Sequence, residues 1–219
     1  MLFLVIILSY VIGSIPFGFL VVKTFSGRDV RDVGSGRTGG TNAMRAAGVP
    51  AGVLTAVLDT LKAAACVWLA RLILPADTQV IGMVLAGLFA IVGHNYSVFL
   101  GFKGGAGGAP TVGAALAIWP WSFVIAAPVC LVVLFGIGYA SLATIAAGLV
   151  ITAVFAYRAY AQQAPAAFIL YGVGALILLV WALRPNIRRL LRGEERLIGW
   201  RAKRLKQAAA AADTGPKGR

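Results

Sequence analysis

Seven long apolar stretches set the limits on this chain, at about residues 1–22, 51–74, 79–100, 109–119, 121–138, 141–157 and 165–183. A helix rising about 1.5 Å per residue needs roughly 20 apolar residues to cross about 30 Å of hydrocarbon. The 219 residues therefore hold at most about six or seven crossings with short connections, and no extramembrane domain of ordinary size. None of the stretches alternates apolar and polar residues as the strands of a membrane barrel do, so they read as helices. The composition agrees, with 60% hydrophobic and 12% charged residues, against about 25% charged in soluble domains. An all-α, polytopic integral membrane protein follows. Cys66 and Cys130 sit inside apolar stretches and read as small buried hydrophobes, not a disulfide framework. The first stretch has neither a basic leader nor a small-residue cleavage site, and it reads as a retained first span.

Basic residues decide how the spans are threaded. Lys23, Arg28, Arg31, Arg37 and Arg45 follow the first stretch, and residues 184–219 hold eleven more of the 20 lysines and arginines. The positive-inside rule puts both groups on the cytoplasmic side, so the N-terminus faces outward. Crossings at 51–74 and 79–100 return the chain to the cytoplasm at Lys103. An even number of crossings must then separate that loop from the basic C-terminal stretch, which three full-length helices would not provide. Four segments over 109–183 do, if one is short, and Gly108–Trp119 is the candidate because Trp119-Pro120-Trp121 cuts it off. The expectation is a single membrane domain over 1–206 with seven embedded segments, N-terminus out and C-terminus in. Gly138–Ser141 then falls on the cytoplasmic side, with Arg158 and Gln162-Gln163 outside. Residues 186–206 read as a basic amphipathic helix on the cytoplasmic membrane surface, and 207–219 as a disordered tail. The net charge of +13 would suggest nucleic acid in a soluble protein. Here it reports orientation and contact with anionic membrane lipid, and no nucleic-acid partner is expected.

Chemistry concentrates in two glycine-rich loops. Residues 33–45, VGSGRTGGTNAMR, combine four glycines with hydroxyls, an amide and two arginines, a backbone able to turn its N–H groups around an anion. Thr41 or Asn42 is placed to cap a helix beginning near Ala43, with Arg45 one turn in. Residues 93–111 hold six glycines, five of them close around Lys103, in the same way. His94, the single histidine, reads either as a structural hydrogen-bonding group or as a base. Asp59 and Lys62 share one helix face, as an internal ion pair or as lining of the polar site. There is no histidine or cysteine cluster and there are few carboxylates, so neither a metal nor a cofactor is expected. Such a cationic, amide-rich site suits anionic substrates whose leaving group needs little assistance.

The segments GSGRTGGTNAMRAAG (34–48), Asp59 with Lys62, GHNYSVFLGFKGG (93–105), YASLATI (139–145) and NIRRLLRGEE (186–195) resemble, in order and spacing over nearly the whole chain, the bacterial acyl-phosphate:glycerol-3-phosphate acyltransferases, the PlsY family. The resemblance implies seven membrane helices with the N-terminus outside. It implies transfer of a fatty acyl group from acyl phosphate to the 1-hydroxyl of glycerol 3-phosphate at the cytoplasmic face, giving lysophosphatidic acid, with an acyl-phosphate synthase as a candidate partner. Ser35 and Arg45 would hold glycerol 3-phosphate, with Asn186 beside them as the third catalytic position. Gly39, Gly40, Thr41, Asn42, Lys103, Gly104, Gly105 and Gly107 would cradle the acyl phosphate, with Ser141 alongside. An acyl phosphate is already an activated anhydride, so the site need only align hydroxyl and carbonyl. The chain departs from the family pattern at Arg37 (usually Asn), Ala106 (Lys) and Leu183 (His), and Arg37 is expected to supply substrate-binding charge in place of the missing cation. Two other readings of the same residues are a non-catalytic homologue that binds lipid precursors or a partner enzyme, and a small anion transporter.

Overall fold

The computed structural model describes residues 1–199, 201, 202, 204 and 207. The chain is all-helical among them: α1 (Leu2–Ser14), α2 (Phe17–Ser26), α3 (Gly40–Ile73), α4 (Ala76–Asn95), α5 (Gly108–Ile118), α6 (Trp121–Val132, extended by a π-helical turn Val133–Ile137), α7 (Ala140–Tyr160) and α8 (Ala167–Leu191). Five lengths are long and apolar enough to cross a membrane: Leu2–Ser26, Gly40–Ile73, Ala76–Leu100, Ala140–Tyr160 and Ala167–Leu191. Gly108–Ile118 and Trp121–Ile137 are shorter apolar helices, so the expected seven segments are present. The short segment ends where expected, with Trp119 extended and Pro120 opening the next helix.

Three expectations need correction. The first span is broken in two at Ile15-Pro16, because proline supplies no N–H to continue α1. The helix expected to start near Ala43 starts at Gly40 instead, with Gly39 as N-cap and no side-chain cap, so neither Thr41 nor Asn42 serves as one. That first piece ends at a kink where Gly48 takes φ +87° ahead of Pro50, and the membrane-crossing part of α3 follows. The basic stretch expected to form one surface helix over 186–206 is divided. Residues 186–191 close α8, Gly193 turns with φ +71°, and 194–198 is a non-helical strap. The strap is held down by Ile198 N–H, which donates to the Gly138 carbonyl at 2.8 Å. The expected disordered tail lies, Gln207 apart, outside the described residues.

α3 and α4 form the centre, with α1 packed on α4, α5 on α3, α8 on α4 and α7, and α2 on the start of α3. Small residues let backbones touch, as membrane helix packing favours. A Cβ on Gly93 would lie 2.2 Å from the Tyr10 carbonyl oxygen, and one on Gly113 2.0 Å from that of Thr60. At one end of the bundle Arg71 donates to the Ile118 carbonyl at 3.2 Å, and Arg158 stacks over Trp119 at 4.0 Å. The loops carrying the candidate site gather at the other end.

The broken first span is tied to a buried charge cluster. Lys62 Nζ donates to the Ile15 carbonyl at 2.7 Å, pairs with Asp59 at 2.7 Å, and lies 3.1 Å from His94 Nδ1. All three side chains are at most 4% exposed. Asp59 and Lys62 are thus an internal ion pair, and His94 is a structural member of it. Replacing one member of a buried pair strands the other charge, a cost of about 3–5 kcal/mol. Asp59→Asn should therefore lower the thermal midpoint in detergent sharply, and the double change Asp59→Leu with Lys62→Met should lower it less.

Candidate active site

The loop of residues 33–39 is organised by one amide. Asn42 Nδ2 donates to the carbonyls of Val30 at 2.9 Å, Val33 at 2.8 Å and Arg37 at 2.8 Å, while its Oδ1 accepts the Ser35 N–H at 3.1 Å. Asn42 is buried and both of its amide hydrogens are engaged, so it shapes the loop and has no donor to spare for a substrate. Its expected contact with acyl phosphate is thereby replaced by a positioning role. Gly34 has φ +56°, and a Cβ there would meet Asn42 Oδ1 at 2.3 Å and Arg45 Cδ at 3.3 Å. The close fit brings the Gly34 backbone against the Arg45 side chain.

Arg37 leaves this loop sideways. Its Nη1 donates to the Gly105 carbonyl at 2.9 Å, and its Nη2 to that of Ala182 on α8. These carbonyls belong to the residues just before Ala106 and Leu183, so the guanidinium bridges the two departures from the family pattern. Burial, followed by the nearby Arg189, pushes its pKa below the usual arginine value. The second glycine loop is packed for a different reason than an anion. Gly105 N–H donates to the His94 carbonyl at 3.0 Å, and a Cβ on Gly105 would lie 1.9 Å from His94 Nε2. A Cβ on Gly104 would lie 2.1 Å from the same carbonyl, and Gly107, at φ +89°, is the N-cap of α5. The glycines are demanded by the close approach of this loop to α4. Lys103 stands exposed at its edge.

The third part is the strap. The Glu195 carboxylate accepts from Asn186 Nδ2 at 2.8 Å and Ser141 Oγ at 3.4 Å, and pairs with Arg189 Nε at 3.0 Å, its side chain 5% exposed. Asn186 Oδ1 is buried with no partner among the described residues. Beneath the strap lies an open cavity of about 800 Å³, walled by Met44, Arg45, Tyr139, Glu195, Arg196 and Ile198. Asn186 and Ser141 thus meet on the Glu195 carboxylate, which shares the cavity wall with Arg45, next to the Gly34 turn. Arg37, Gly104, Gly105 and Gly107 form a neighbouring cluster, and Gly39, Gly40 and Thr41 make the start of α3 between them.

A family model described as Glycerol-3-phosphate acyltransferase matches residues 3–193. The chain belongs to that family. It is 37% identical to glycerol-3-phosphate acyltransferase 3 of Dehalococcoides mccartyi strain CBDB1 over 211 residues, 92% of this chain and 98% of the relative. Its fold is similar to the crystal structure of PlsY (YgiH), an integral membrane glycerol 3-phosphate acyltransferase, in its glycerol 3-phosphate form, with a TM-score of 0.80 and 33% identity over 90% of this chain and 96% of that one. The lysophosphatidic acid form of the same protein gives a TM-score of 0.78 at 32% identity, over 90% and 95%. Like its relatives, then, this family member is a multi-pass membrane protein and an acyltransferase.

Within this glycerol-3-phosphate acyltransferase fold, Glu195 is the residue missed by sequence reasoning. Its segment reads in the sequence as part of a surface helix, and the strap's return toward Gly138 and Ser141 buries the Glu195 side chain. The loop geometry makes Asn42 testable without a substrate. Asn42→Ala removes four hydrogen bonds and leaves buried carbonyls unpaired, each costing about 1–3 kcal/mol. Trypsin should then cut at Arg31 and Arg37 at least tenfold faster than in the parent protein, as followed by mass spectrometry.

Proposed function

We propose that this protein transfers a fatty acyl group from acyl phosphate to the 1-hydroxyl of glycerol 3-phosphate, on the cytoplasmic side of the cell membrane. The observation that carries the reading is the shared fold over 90% of the chain with a relative solved in both its glycerol 3-phosphate and lysophosphatidic acid forms. Arg45, at the wall of the wide cavity, holds the phosphate of glycerol 3-phosphate together with the Ser35 loop. The unpartnered Asn186 Oδ1 accepts from the reacting hydroxyl, with Ser141 held beside it by Glu195. The N-terminal turn of α3, from Gly39 and Gly40 to Thr41, offers N–H groups to the acyl phosphate, and Lys103 at the edge of the second glycine loop adds charge. The hydroxyl oxygen adds to the acyl carbonyl carbon, the bond from that carbon to the phosphate oxygen breaks, and the hydroxyl proton leaves with the phosphate. No covalent enzyme intermediate is needed, because alignment of two bound substrates removes most of the entropic barrier.

Glu195 positions Asn186, Ser141 and Arg189 without touching the reacting atoms, and Arg37 braces the two loops against α8. The apolar flanks of the helices accommodate the acyl chain.

Purified protein in lipid, given acyl phosphate and glycerol 3-phosphate, should form lysophosphatidic acid. Arg45→Ala should lower kcat/KM for glycerol 3-phosphate by about a hundredfold, the loss of a charge-assisted contact of about 2–3 kcal/mol. Absence of product with both ligands bound would point instead to a non-catalytic homologue. Membrane orientation is checked separately. In intact cells a membrane-impermeant maleimide should label Gln163→Cys, and should label Lys103→Cys only after permeabilisation.

A further inference from the structure

Sixteen of the 20 lysines and arginines lie in the two basic groups that orient the chain, and Lys62 and Lys103 belong to the core and to the second glycine loop. The two that remain, Arg71 and Arg158, sit in the last turns of α3 and α7, at the end of the bundle opposite the glycine loops. Far apart in the sequence, they converge on one step of the backbone. Arg71 Nη2 donates to the carbonyl of Ile118, the last residue of α5, and the Arg158 guanidinium covers the ring of the next residue, Trp119. Closing helix ends accounts for one N–H of each, Arg71 on Ile118 and Arg158 on the Gln163 carbonyl at 3.0 Å. A guanidinium has five N–H groups, and Arg158 Nε is buried with no partner among the described residues. Neither arginine makes an ion pair there, and the one carboxylate at this end, Asp77, stands exposed beside Thr78. Two guanidiniums either side of one indole repel each other, and an anion between them removes that repulsion. The surroundings belong to the membrane interface. Trp121, Tyr157 and Tyr160 are exposed around the pair, as aromatic residues at head-group depth are. Val124 and Ile125, one turn further along α6, continue from Trp121 as an exposed apolar flank. A ligand that fits both features carries a negative phosphate with hydrocarbon beneath it. A zwitterionic head group brings its own ammonium, which two arginines repel, so an acidic one fits better.

We propose that Arg71, Trp119 and Arg158 form a binding site for the head-group phosphate of an acidic diacyl phospholipid, at the end of the bundle remote from acyl transfer. The bound lipid ties the ends of α3, α5 and α7 together. The site depends neither on the acyl-transfer reading nor on which side of the membrane this end faces.

The experiment places the full-length protein in phosphatidylcholine nanodiscs. These contain a small fraction of either phosphatidylglycerol or phosphatidylcholine that carries a diazirine near the head of one acyl chain. Irradiation is followed by mapping of the cross-links by mass spectrometry. In the parent protein, phosphatidylglycerol should label residues 119–125 or 157–163 about tenfold more than phosphatidylcholine does. Arg71→Gln and Arg158→Gln should each remove most of that excess. Arg188→Gln, at the basic opposite end, should leave it within twofold. Arg71 is exposed, so its variant decides the matter if Arg158→Gln does not fold. Equal labelling by the two lipids overturns the site, because the contact would then be with bulk lipid. Labelling by phosphatidylglycerol confined to residues 184–207 overturns it as well. So does an excess that both variants at this end leave unchanged, or one that Arg188→Gln lowers as far as they do.

Discussion

A lysine ammonium in the middle of the membrane domain holds the rest together. Hydrocarbon offers no water to a broken helix, so every backbone group freed at Ile15-Pro16 must find a partner inside the protein. Lys62 supplies one by donating to the Ile15 carbonyl, and Asp59 neutralises it. The same ammonium touches His94, whose carbonyl receives Gly105 N–H, and Gly105 in turn accepts from Arg37, which reaches Ala182. A single polar thread therefore runs from the first helix break, through the core, to Ala182 on α8. The glycine loops are the outer part of that thread.

The cationic end of the bundle works by division of labour. Asn42 and Glu195 are spent on protein partners, and each fixes several groups at once. Residues with donors or acceptors to spare stand close by: Arg45 at the cavity wall and Asn186 on the Glu195 carboxylate. Positioning groups that are fully satisfied keep the others within a narrow geometry, which is what a reaction driven by alignment requires.

Much of the fold was legible because hydrocarbon thickness dictates it. The seven segments, the short one before Pro120 and the gathering of polar loops at one end follow from run lengths and from where arginines fall. The candidate site was legible as a set of segments but less so in its roles. An asparagine amide in a glycine loop has the same chemistry whether it meets a phosphate or a ring of carbonyls, and only the path of residues 30–37 decides. Gly105 reads equally as an anion cradle or as the space needed for the His94 ring. Glu195 was illegible because its burial depends on a strap that no local pattern marks.

The placement of Asp59 and Lys62 three residues apart on one helix bears on how the protein is made. The two charges can neutralise each other within α3 as soon as that helix is synthesised, and the Ile15 carbonyl already exists by then. Only His94 arrives later. A helix carrying two full charges can thus leave the insertion machinery for lipid before half of its neighbours have been translated, which a pair divided between distant helices would not permit.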